Sequence, residues 1–407
     1  IYAIKFVFLY CNYDMKTKLL ASVLFLLTIL FFSCADKKKT QVTPWGTPMG
    51  ADSIPSAQTY RLDDIVSNGE LIMLTLSGPD TYYDYHGHGM GLQYLLCEKF
   101  AQKIGVSLRV DVCKDTLELE RKLRKGEADI AALQFDRPLR GLRFTKVKAD
   151  QAKMGWAVMA DNAELADSLD RWFNPQMVKN IRNEEAFLLS SRSISRHVYS
   201  PMLNRSGGVI SHYDRYFQMY APMARIDWRL MAAQCYQESC FDPNAKSWAG
   251  ACGLMQIMPV TADHLGLPRS EMFNPEQNIA ASARYLQELG NHYRDVPVSE
   301  RVFYQLASYN GGFFHIRDAM ALARKNGRNP YRWDDVAEYV LKLSDAAYYR
   351  DPVVKHGYMR GTETVGYVRR IRDRWMQYRG VARGGVVPGG GTVVAPQRAS
   401  RNYKWHL

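Results

Sequence analysis

The sequence lacks several patterns that would point to a particular class of protein. It has no helix-turn-helix, RNP or zinc-finger pattern and no Cys-x-x-Cys pair, which disfavours nucleic-acid binding and a zinc site. Its apolar run at residues 19–32 is too short to span a bilayer comfortably. The chain is instead basic, with a formal net charge of +12 over 407 residues, a length that suits about two domains. Without a nucleic-acid motif, this charge favours anionic lipid headgroups or a cell-wall polymer as the partner.

The N-terminal residues have the pattern of an export signal. A basic start at residues 15–18 precedes the apolar run, and Ser33 and Cys34 close it. A small residue followed by Cys resembles a lipobox, although Phe31 replaces the usual Leu-like residue. We therefore predict an upstream extension and lipoprotein signal peptide over residues 1–34, with Cys34 lipidated at the periplasmic face of the outer membrane. A plain signal anchor is the alternative.

Residues 35–60 are polar and contain three prolines, which is typical of a linker. Five cysteines follow it, an odd number. Cys240 and Cys252 flank a Gly-rich loop and could form a disulfide in an oxidising compartment, while buried free thiols are expected for at least three of the five. His86 and His88 in a Gly-rich stretch could suggest a metal site, but such pairs usually occupy a turn. We predict no metal and no organic cofactor.

Residues 61–200 alternate between strand and helix patterns. Apolar positions recur with helical spacing in two segments, and short apolar or alternating runs lie between them. In chain order they predict a strand at 71–76, a helix at 92–104, a strand at 108–112, a helix at 117–123 and a strand at 129–133. This order indicates a parallel sheet covered by helices.

Three short motifs in this region resemble the family-3 solute-binding fold of periplasmic amino-acid receptors. They are Gly-Met-Gly-Leu at residues 89–92, Glu-Ala-Asp-Ile-Ala at 127–131 and Arg-Phe-Thr at 143–145. Such receptors hold their ligand between two lobes. Here the chain passes quickly to residues 155–173, which look like the return into the first lobe. We therefore predict an α/β domain of one truncated lobe that does not close on an amino acid.

The second half of the chain reads as mainly helical and places one carboxylate in an unusual position. Asp227 is a suitable N-cap for a helix that runs to about Ser239, with a buried stripe that includes Met231 and Cys235. Glu238 lies at the edge of that stripe, in the last turn. Partial burial and the negative end of the helix dipole both raise the pKa of a carboxyl there. A carboxylic acid that stays protonated near neutrality can donate a proton to a glycosidic oxygen, whereas a solvated Glu at a frayed helix end is the alternative.

Other segments supply the groups that a sugar polymer needs. Residues 253–256 contain a glycine, which lets the backbone come close to a sugar, and they also offer an amide and a polarisable apolar side chain. Tyr309 and Asn310 precede two glycines at a helix end, and Glu363 and Tyr367 lie four residues apart on a last helix. Aromatic rings stack on pyranose faces, while amides and carboxylates bind hydroxyl and N-acetyl groups.

Four motifs in this order resemble the soluble-lytic-transglycosylase family, which has a goose-type-lysozyme-like fold. They are Glu-Ser at residues 238–239, Gly-Leu-Met-Gln at 253–256, Ala-Ser-Tyr-Asn-x-Gly at 307–312 and Glu-Thr-x-x-Tyr-Val at 363–368. Ser282 stands where the family usually has Gly. With the solute-binding-like domain and the lipobox, the chain resembles the membrane-bound lytic murein transglycosylase F family, over about residues 60–375. The resemblance implies two domains, the α/β domain at 61–200 and a mainly α, lysozyme-like catalytic domain at 210–379, and we predict a disordered tail at 380–407.

The resemblance also implies a carbohydrate lyase acting on peptidoglycan. Such enzymes cleave the β-1,4 bond between N-acetylmuramic acid and N-acetylglucosamine without water and leave 1,6-anhydro ends. Glu238 would be the general acid and then the base, so no second carboxylate at glycosidase spacing is required. Ser239 would orient Glu238 or a substrate carbonyl, and the Glu363 carboxylate would have an electrostatic role in the site. The sugar subsites would be lined by Met255, Gln256, Tyr309, Asn310 and Tyr367.

The implied partners are peptidoglycan strands, the membrane through the lipid anchor, and candidate proteins of the cell-wall machinery. Two alternatives stay open at this point. A hydrolase of the same fold would use water and make reducing ends, and an inactive wall-binding or receptor protein would not cleave at all. For the α/β domain we predict regulation or glycan positioning rather than amino-acid transport.

Overall fold

The computed structural model describes residues 41–42, 48–49, 61–149 and 152–382. The predicted signal peptide with Cys34, most of the predicted linker and nearly all of the predicted tail lie outside these residues.

The chain divides into two compact units, residues 1–58 and residues 59–407. In the first unit the described residues form two strands, β1 (Gln41–Val42) and β2 (Pro48–Met49), which pair antiparallel. The helices described below all belong to the second unit. Within the described residues, none of them combines the length and the apolar character needed to cross a membrane.

The N-terminal part of the second unit is built on a five-stranded mixed sheet. β3 lies between β6 and β7 and is parallel to both, while β9 is antiparallel to β7 and β8. The strands of this part are β3 (Glu70–Leu76), β4 (Tyr83–Tyr85), β5 (His88–Met90), β6 (Ser107–Cys113), β7 (Ile130–Ala131), β8 (Leu142–Phe144) and β9 (Ala157–Met159). Its helices are α1 (Leu62–Asn68), α2 (Leu92–Ile104), α3 (Thr116–Arg124), α4 (Ala163–Trp172) and α5 (Gln176–Leu188).

The sheet is buried on both faces because successive residues of a strand point to opposite sides. Met73 packs with α1, α2, α4 and α5 on one face, and Leu74 packs with α3 on the other. The predicted β-α-β-α-β order is confirmed, and β9 with α4 forms the predicted return of the chain. Trp156 is fully buried beside β9 and donates from Nε1 to Gln93 of α2 at 2.5 Å. This region is therefore the single α/β lobe that the sequence predicts.

The C-terminal part of the second unit is mainly helical and has its own core, drawn from residues 210–382. Its helices are α6 (Asp214–Tyr220), α7 (Trp228–Ser239), α8 (Pro259–His264), α9 (Pro275–Asn291), α10 (Val298–Gly311), α11 (Phe313–Lys325), α12 (Trp333–Lys342), α13 (Ala346–Tyr349) and α14 (Gly361–Arg379). Short 3₁₀ turns lie at Ser191–Ser193, Ala221–Ala224 and Arg269–Glu271, and a two-strand pair joins β10 (Ile194–Ser195) to β11 (Lys246–Ser247).

Helix α7 lies at the centre of this part and packs against α14. The residues of the predicted stripe along α7 are buried, and because Leu230, Ala233 and Gln234 are buried as well, the helix is enclosed on most sides. Asp227 caps the helix by accepting from the Arg229 backbone N–H at 3.0 Å. The Arg229 guanidinium in turn bonds to the Asp227 carboxylate, so that this buried charge pair is satisfied.

The stretch between the two parts belongs by its contacts to the helical part. β10 pairs with β11, and the Tyr199 backbone N–H donates to the Cys240 carbonyl at 3.3 Å. These residues fall inside the predicted α/β segment of 61–200. The exact domain boundaries stay predictions.

Helix α14 approaches α12 so closely that Gly361 is required. A Cβ on Gly361 would lie 1.8 Å from the Val340 carbonyl oxygen. We expect Gly361→Ala to lower the free energy of unfolding by about 1–3 kcal/mol, because backbone must move to accept the methyl group. Urea denaturation measures this change.

Gly366 of the same helix provides the matched control. A Cβ there would meet only the end of the flexible Arg370 side chain, at 3.0 Å. Gly366→Ala should therefore not lower the stability, and the higher helix propensity of alanine should raise it by up to about 1 kcal/mol. Equal losses for the two variants would contradict the close approach at Gly361.

Candidate active site

Glu238 occupies the last turn of α7, where the helix is stopped by a left-handed residue. Cys240 has φ 53° and caps the helix. The Glu238 backbone carbonyl accepts from Arg196 at 2.8 Å, and its carboxylate accepts from the Tyr367 hydroxyl of α14 at 2.5 Å. Helix α7 thus presents a partly buried carboxyl group that a second helix holds in place.

The surroundings of Glu238 favour its protonated form. Burial raises its pKa to about 7, and the charge of Glu363 acts in the same direction. The hydrogen bond from Tyr367 and the positive charge of Arg196 oppose this rise in pKa without cancelling it. Near neutral pH the group therefore exists in both forms and can give up or accept a proton. The solvated, frayed alternative is excluded by this burial.

A loop between β11 and α8 lines the cleft beside Glu238. Gly253 has φ 77°, and a Cβ there would lie 2.5 Å from the Met272 carbonyl oxygen. The buried Asn278 of α9 holds the loop by accepting from the Met255 N–H at 2.8 Å and donating to the Cys252 carbonyl at 3.1 Å. Sequence reasoning gave Asn278 no role, since its partners are backbone groups that only the fold brings to it.

Gln256 projects from this loop with its amide oriented. Its backbone has φ 48°, and its Nε2 donates to the carbonyls of Ala245 and Gly253 at 3.0 and 2.9 Å. Its Oε1 is buried and has no hydrogen-bond partner among the described residues. The side chain therefore offers one fixed acceptor at the cleft, suited to an N–H or hydroxyl of a ligand.

Tyr309 and Asn310 lie at the C-terminal end of α10, as the sequence predicts. The Tyr309 hydroxyl donates to the Met255 carbonyl at 2.7 Å and accepts from Ser282 at 3.3 Å. Asn310 accepts from Thr364 of α14 at 2.7 Å. Ser282, which stands where Gly is usual, therefore adds a hydrogen bond that orients the tyrosine ring.

Two predicted site residues do not face the cleft. Met255 is fully buried in the helical core, and its backbone carbonyl accepts from the Tyr309 hydroxyl. Ser239 is also fully buried, and its hydroxyl donates to the Cys235 carbonyl one turn earlier in α7 at 3.1 Å. Met258, three residues after Met255, lines the cleft instead. The reversal of the chain at Gly253 decides which of the two methionines faces the cleft. The spacing of residues in the motif does not reveal this orientation.

The cleft consists of two adjoining pockets of about 460 and 430 Å³. Volumes of this size are typical of sites that hold an extended ligand. Glu238 and Tyr367 belong to the second pocket. The residues shared by both pockets are Tyr85, His86, Gln256, Met258, Tyr309, Asn310, Arg360 and Glu363.

One wall of this cleft comes from the α/β part. The hairpin β4–β5 turns at His86 and Gly87, both with positive φ, as two-residue hairpin loops require. The Tyr85 hydroxyl donates to Glu363 at 2.9 Å, and its ring stacks on Trp248 with centroids 6.1 Å apart and 3° between planes. His88 Nε2 lies 3.0 Å from the Ala249 carbonyl oxygen. Sequence reasoning missed Tyr85, because no local pattern connects it with Glu363.

The other polar groups near the loop have structural positions. Asp242, which follows α7, accepts from the His197 and Asn244 backbone N–H groups at 2.6 and 2.9 Å and so holds a turn. Cys240 and Cys252 are both buried free thiols, as are the other three cysteines of the described residues. His86 lies in the turn of the hairpin β4–β5, and His88 is the first residue of β5.

The raised pKa of Glu238 implies a cost in stability. Its pKa of about 7 in the folded state exceeds the value of about 4.3 in the unfolded state. Between these two pH values the folded state therefore binds the proton more tightly than the unfolded state does. As a result, the free energy of unfolding of the wild type falls as the pH rises through this range. Gln cannot ionise and can still accept from Tyr367. We expect Glu238→Gln to be more stable than wild type by about 1–3 kcal/mol at about pH 8, with little difference at about pH 4. Urea denaturation at both pH values measures this, and a pH-independent difference would contradict it.

Comparison with known proteins assigns the chain to a family. The profile of the Transglycosylase SLT domain matches residues 215–331. The chain is 36% identical over 364 residues to the membrane-bound lytic murein transglycosylase F of Serratia proteamaculans, covering 84% of this chain and 72% of that protein. It is 29% identical over 417 residues to the protein of the same name from Citrobacter koseri, covering 77% and 80%.

Among solved structures, the soluble lytic transglycosylase SLT70 of Escherichia coli matches with a TM-score of 0.31 and 26% identity, over 41% of this chain and 24% of that one. The arginine-bound domain 1 of TmArgBP matches with a TM-score of 0.25 and 18% identity, over 29% of this chain and 98% of that one. The extent of the match to the Serratia protein and the matched SLT domain establish the relationship. The chain belongs to the membrane-bound lytic murein transglycosylase F family.

Proposed function

We propose that Glu238 cleaves the β-1,4 bond between N-acetylmuramic acid and N-acetylglucosamine in peptidoglycan and that the product carries a 1,6-anhydro ring. As a member of its family the chain is a lytic murein transglycosylase, a carbohydrate lyase acting on peptidoglycan. Glu238 supports the proposal most directly, because its partly buried carboxyl has a pKa of about 7 and lines a cleft with aromatic and amide groups.

A single carboxyl suffices for both halves of this reaction. Glu238 in its acid form gives its proton to the glycosidic oxygen as the bond to the muramyl C1 breaks. The carboxylate left behind is stabilised by the Tyr367 hydroxyl and the positive charge of Arg196. It then removes the proton from the muramyl C6 hydroxyl while that oxygen bonds to C1. The acid is regenerated and no water is consumed.

The other cleft residues suit substrate binding. The unpaired Oε1 of Gln256 can accept from an N-acetyl N–H, and Asn310 and the Tyr309 ring line the same cleft. The Glu363 carboxylate forms an ion pair with the Arg360 guanidinium, with 3.5 Å between Oε2 and Nε. Tyr367 acts on Glu238 directly. We assign no substrate contact to Met255 or Ser239, whose side chains are buried away from the cleft.

The α/β domain has a positioning role in this proposal. Its hairpin β4–β5 completes the cleft wall, and Tyr85 fixes the Glu363 carboxylate. Residues 61–200 and 210–379 remain the proposed limits of the two domains. The role is glycan positioning rather than amino-acid transport.

The proposed location is the periplasmic face of the outer membrane, through lipid on Cys34. The basic and apolar residues before Ser33 and Cys34 support it, and relatives named membrane-bound agree with an envelope location. Peptidoglycan strands are the substrate, and cell-wall machinery proteins are candidate partners.

We expect Glu238→Gln to abolish glycan cleavage, with a loss of at least about a thousandfold, because no proton donor remains at the leaving oxygen. Mass spectrometry of digested cell wall reports the products. Wild-type protein should release anhydromuramyl fragments. Reducing ends formed with water would instead favour the hydrolase.

Glu184→Gln is the control for this test, because Glu184 is an exposed carboxylate of α5 outside both pockets. It should cleave at the wild-type rate. A Glu238→Gln protein that cleared cell wall equally fast would reject the catalytic assignment and would favour a wall-binding protein.

We expect Tyr85→Phe to raise KM for glycan strands by about three- to tenfold with kcat nearly unchanged, because one hydrogen bond that orients Glu363 is lost. Tyr94→Phe is the matched control. It also removes a tyrosine–glutamate bond, to Glu98 at 2.9 Å, but within the α/β part. Steady-state kinetics of both variants separate the effects, and an equal change in the two would contradict a role of the hairpin in the cleft.

A further inference from the structure

The two pockets of the cleft differ in charge. The pocket that contains Glu238 is lined by Arg196, Arg360 and Arg370, and we call it the arginine pocket. The other pocket shares only Arg360 with it and adds the carboxylate of Asp84. Glu363 lines both. Positive charge is therefore concentrated at one end of the cleft, beside the candidate acid.

Two of these three arginines have no carboxylate partner among the described residues. Arg360 is balanced by Glu363 at 3.5 Å. Arg196 donates to a backbone carbonyl, and Arg370 donates from Nε to the Gln237 side-chain oxygen at 3.1 Å. The other carboxyl in the pocket, Glu238, is largely protonated below its pKa of about 7. The three guanidinium groups of this pocket thus face the charge of Glu363 and a Glu238 carboxyl that is fully charged only above its pKa, so positive charge is in excess.

A bound anion would stabilise the charged form of Arg370. The Arg370 side chain is exposed at the cleft; partial desolvation and the neighbouring charge of Arg369 lower the pKa of its guanidinium, and the charge of Glu363 opposes this. Because Gln237 gives its oxygen to Arg370, its amide nitrogen is left as a further donor at the same place. A guanidinium beside an amide suits a carboxylate, which accepts two parallel hydrogen bonds.

We propose that the arginine pocket binds a carboxylate of the peptide stem on the muramyl residue. This inference rests on the proposed function. The sugar whose C6 hydroxyl meets Glu238 is a muramyl residue, and its lactyl group carries the strand's acidic substituent. That substituent therefore projects from the sugar nearest to the arginines. The same carboxylate chemistry could come from the lactyl group itself in a strand without stems, so the experiment separates the two.

The test measures binding in the full chain with Glu238→Gln, so that no strand is cut. Calorimetry compares three soluble glycan probes: strands with peptide stems, stem-free strands with free lactyl carboxylates, and stem-free strands whose lactyl groups are methylamides. Adding Arg370→Ala should weaken binding of stem-bearing strands by about tenfold, the scale of a hydrogen bond to a charged group. It should leave the neutral methylamide strands within about twofold.

Arg369→Ala is the matched control, since Arg369 is the exposed next residue on α14 and lies outside the pocket. It removes a neighbouring charge without removing a donor from the pocket, so it should weaken binding of stem-bearing strands much less than Arg370→Ala does. An equal loss in both variants, an equal loss for neutral strands, or no loss would overturn the proposal. A loss confined to free lactyl strands would assign the pocket to that carboxylate and overturn the stem assignment.

This result is separable from the proposed function. If wild-type protein made reducing ends instead of anhydromuramyl ends, the proposed reaction would fail while the binding comparison kept its meaning. If the reaction is as proposed and Arg370→Ala binds stems normally, only the arginine pocket assignment fails.

Discussion

The hydrogen bond from Tyr367 to Glu238 is the contact on which the candidate site depends. It joins the last turn of α7 to the first half of α14, and it holds a carboxyl that burial would otherwise leave unpaired. The same two helices are joined at their other ends, where the Trp375 ring N–H donates to the Asp227 cap at 3.1 Å. The candidate acid is therefore held between two helices, which favours a fixed geometry for proton transfer.

The fold gives up stability to create this geometry. A carboxyl whose pKa is raised by burial makes the folded state less stable once it ionises. Non-glycine residues with positive φ cluster nearby: Cys240 and Phe241 directly follow α7, and Gln256 lies in the facing loop. Such backbone is unfavourable and persists only where surrounding contacts impose it. Asn278 supplies such contacts through its side-chain hydrogen bonds to backbone groups of this loop and of Met272.

Much of the architecture could be predicted from local pattern. The alternation of strands and helices in the α/β part and the span of α7 follow from periodicity and capping, because these depend on residues close in sequence. Gln256, Tyr309, Asn310 and Glu363 line the cleft as predicted. Met255 and Ser239 do not, because the direction of a side chain at a chain reversal or a helix end is set by packing. Motif membership alone could not distinguish Met255 from Met258.

The sequence by itself determined the family, the order of the two parts and the candidate acid, because each depends on motifs formed by residues close in sequence. Only the tertiary structure decided what surrounds that acid. Tyr85 and Glu363 are 278 positions apart, and no periodicity or motif relates them. The convergence of Arg196 with Arg370 likewise needs the chain before α6 to lie against α7 and α14. Desolvation and charge depend on distances in space, and these are fixed only when the elements pack.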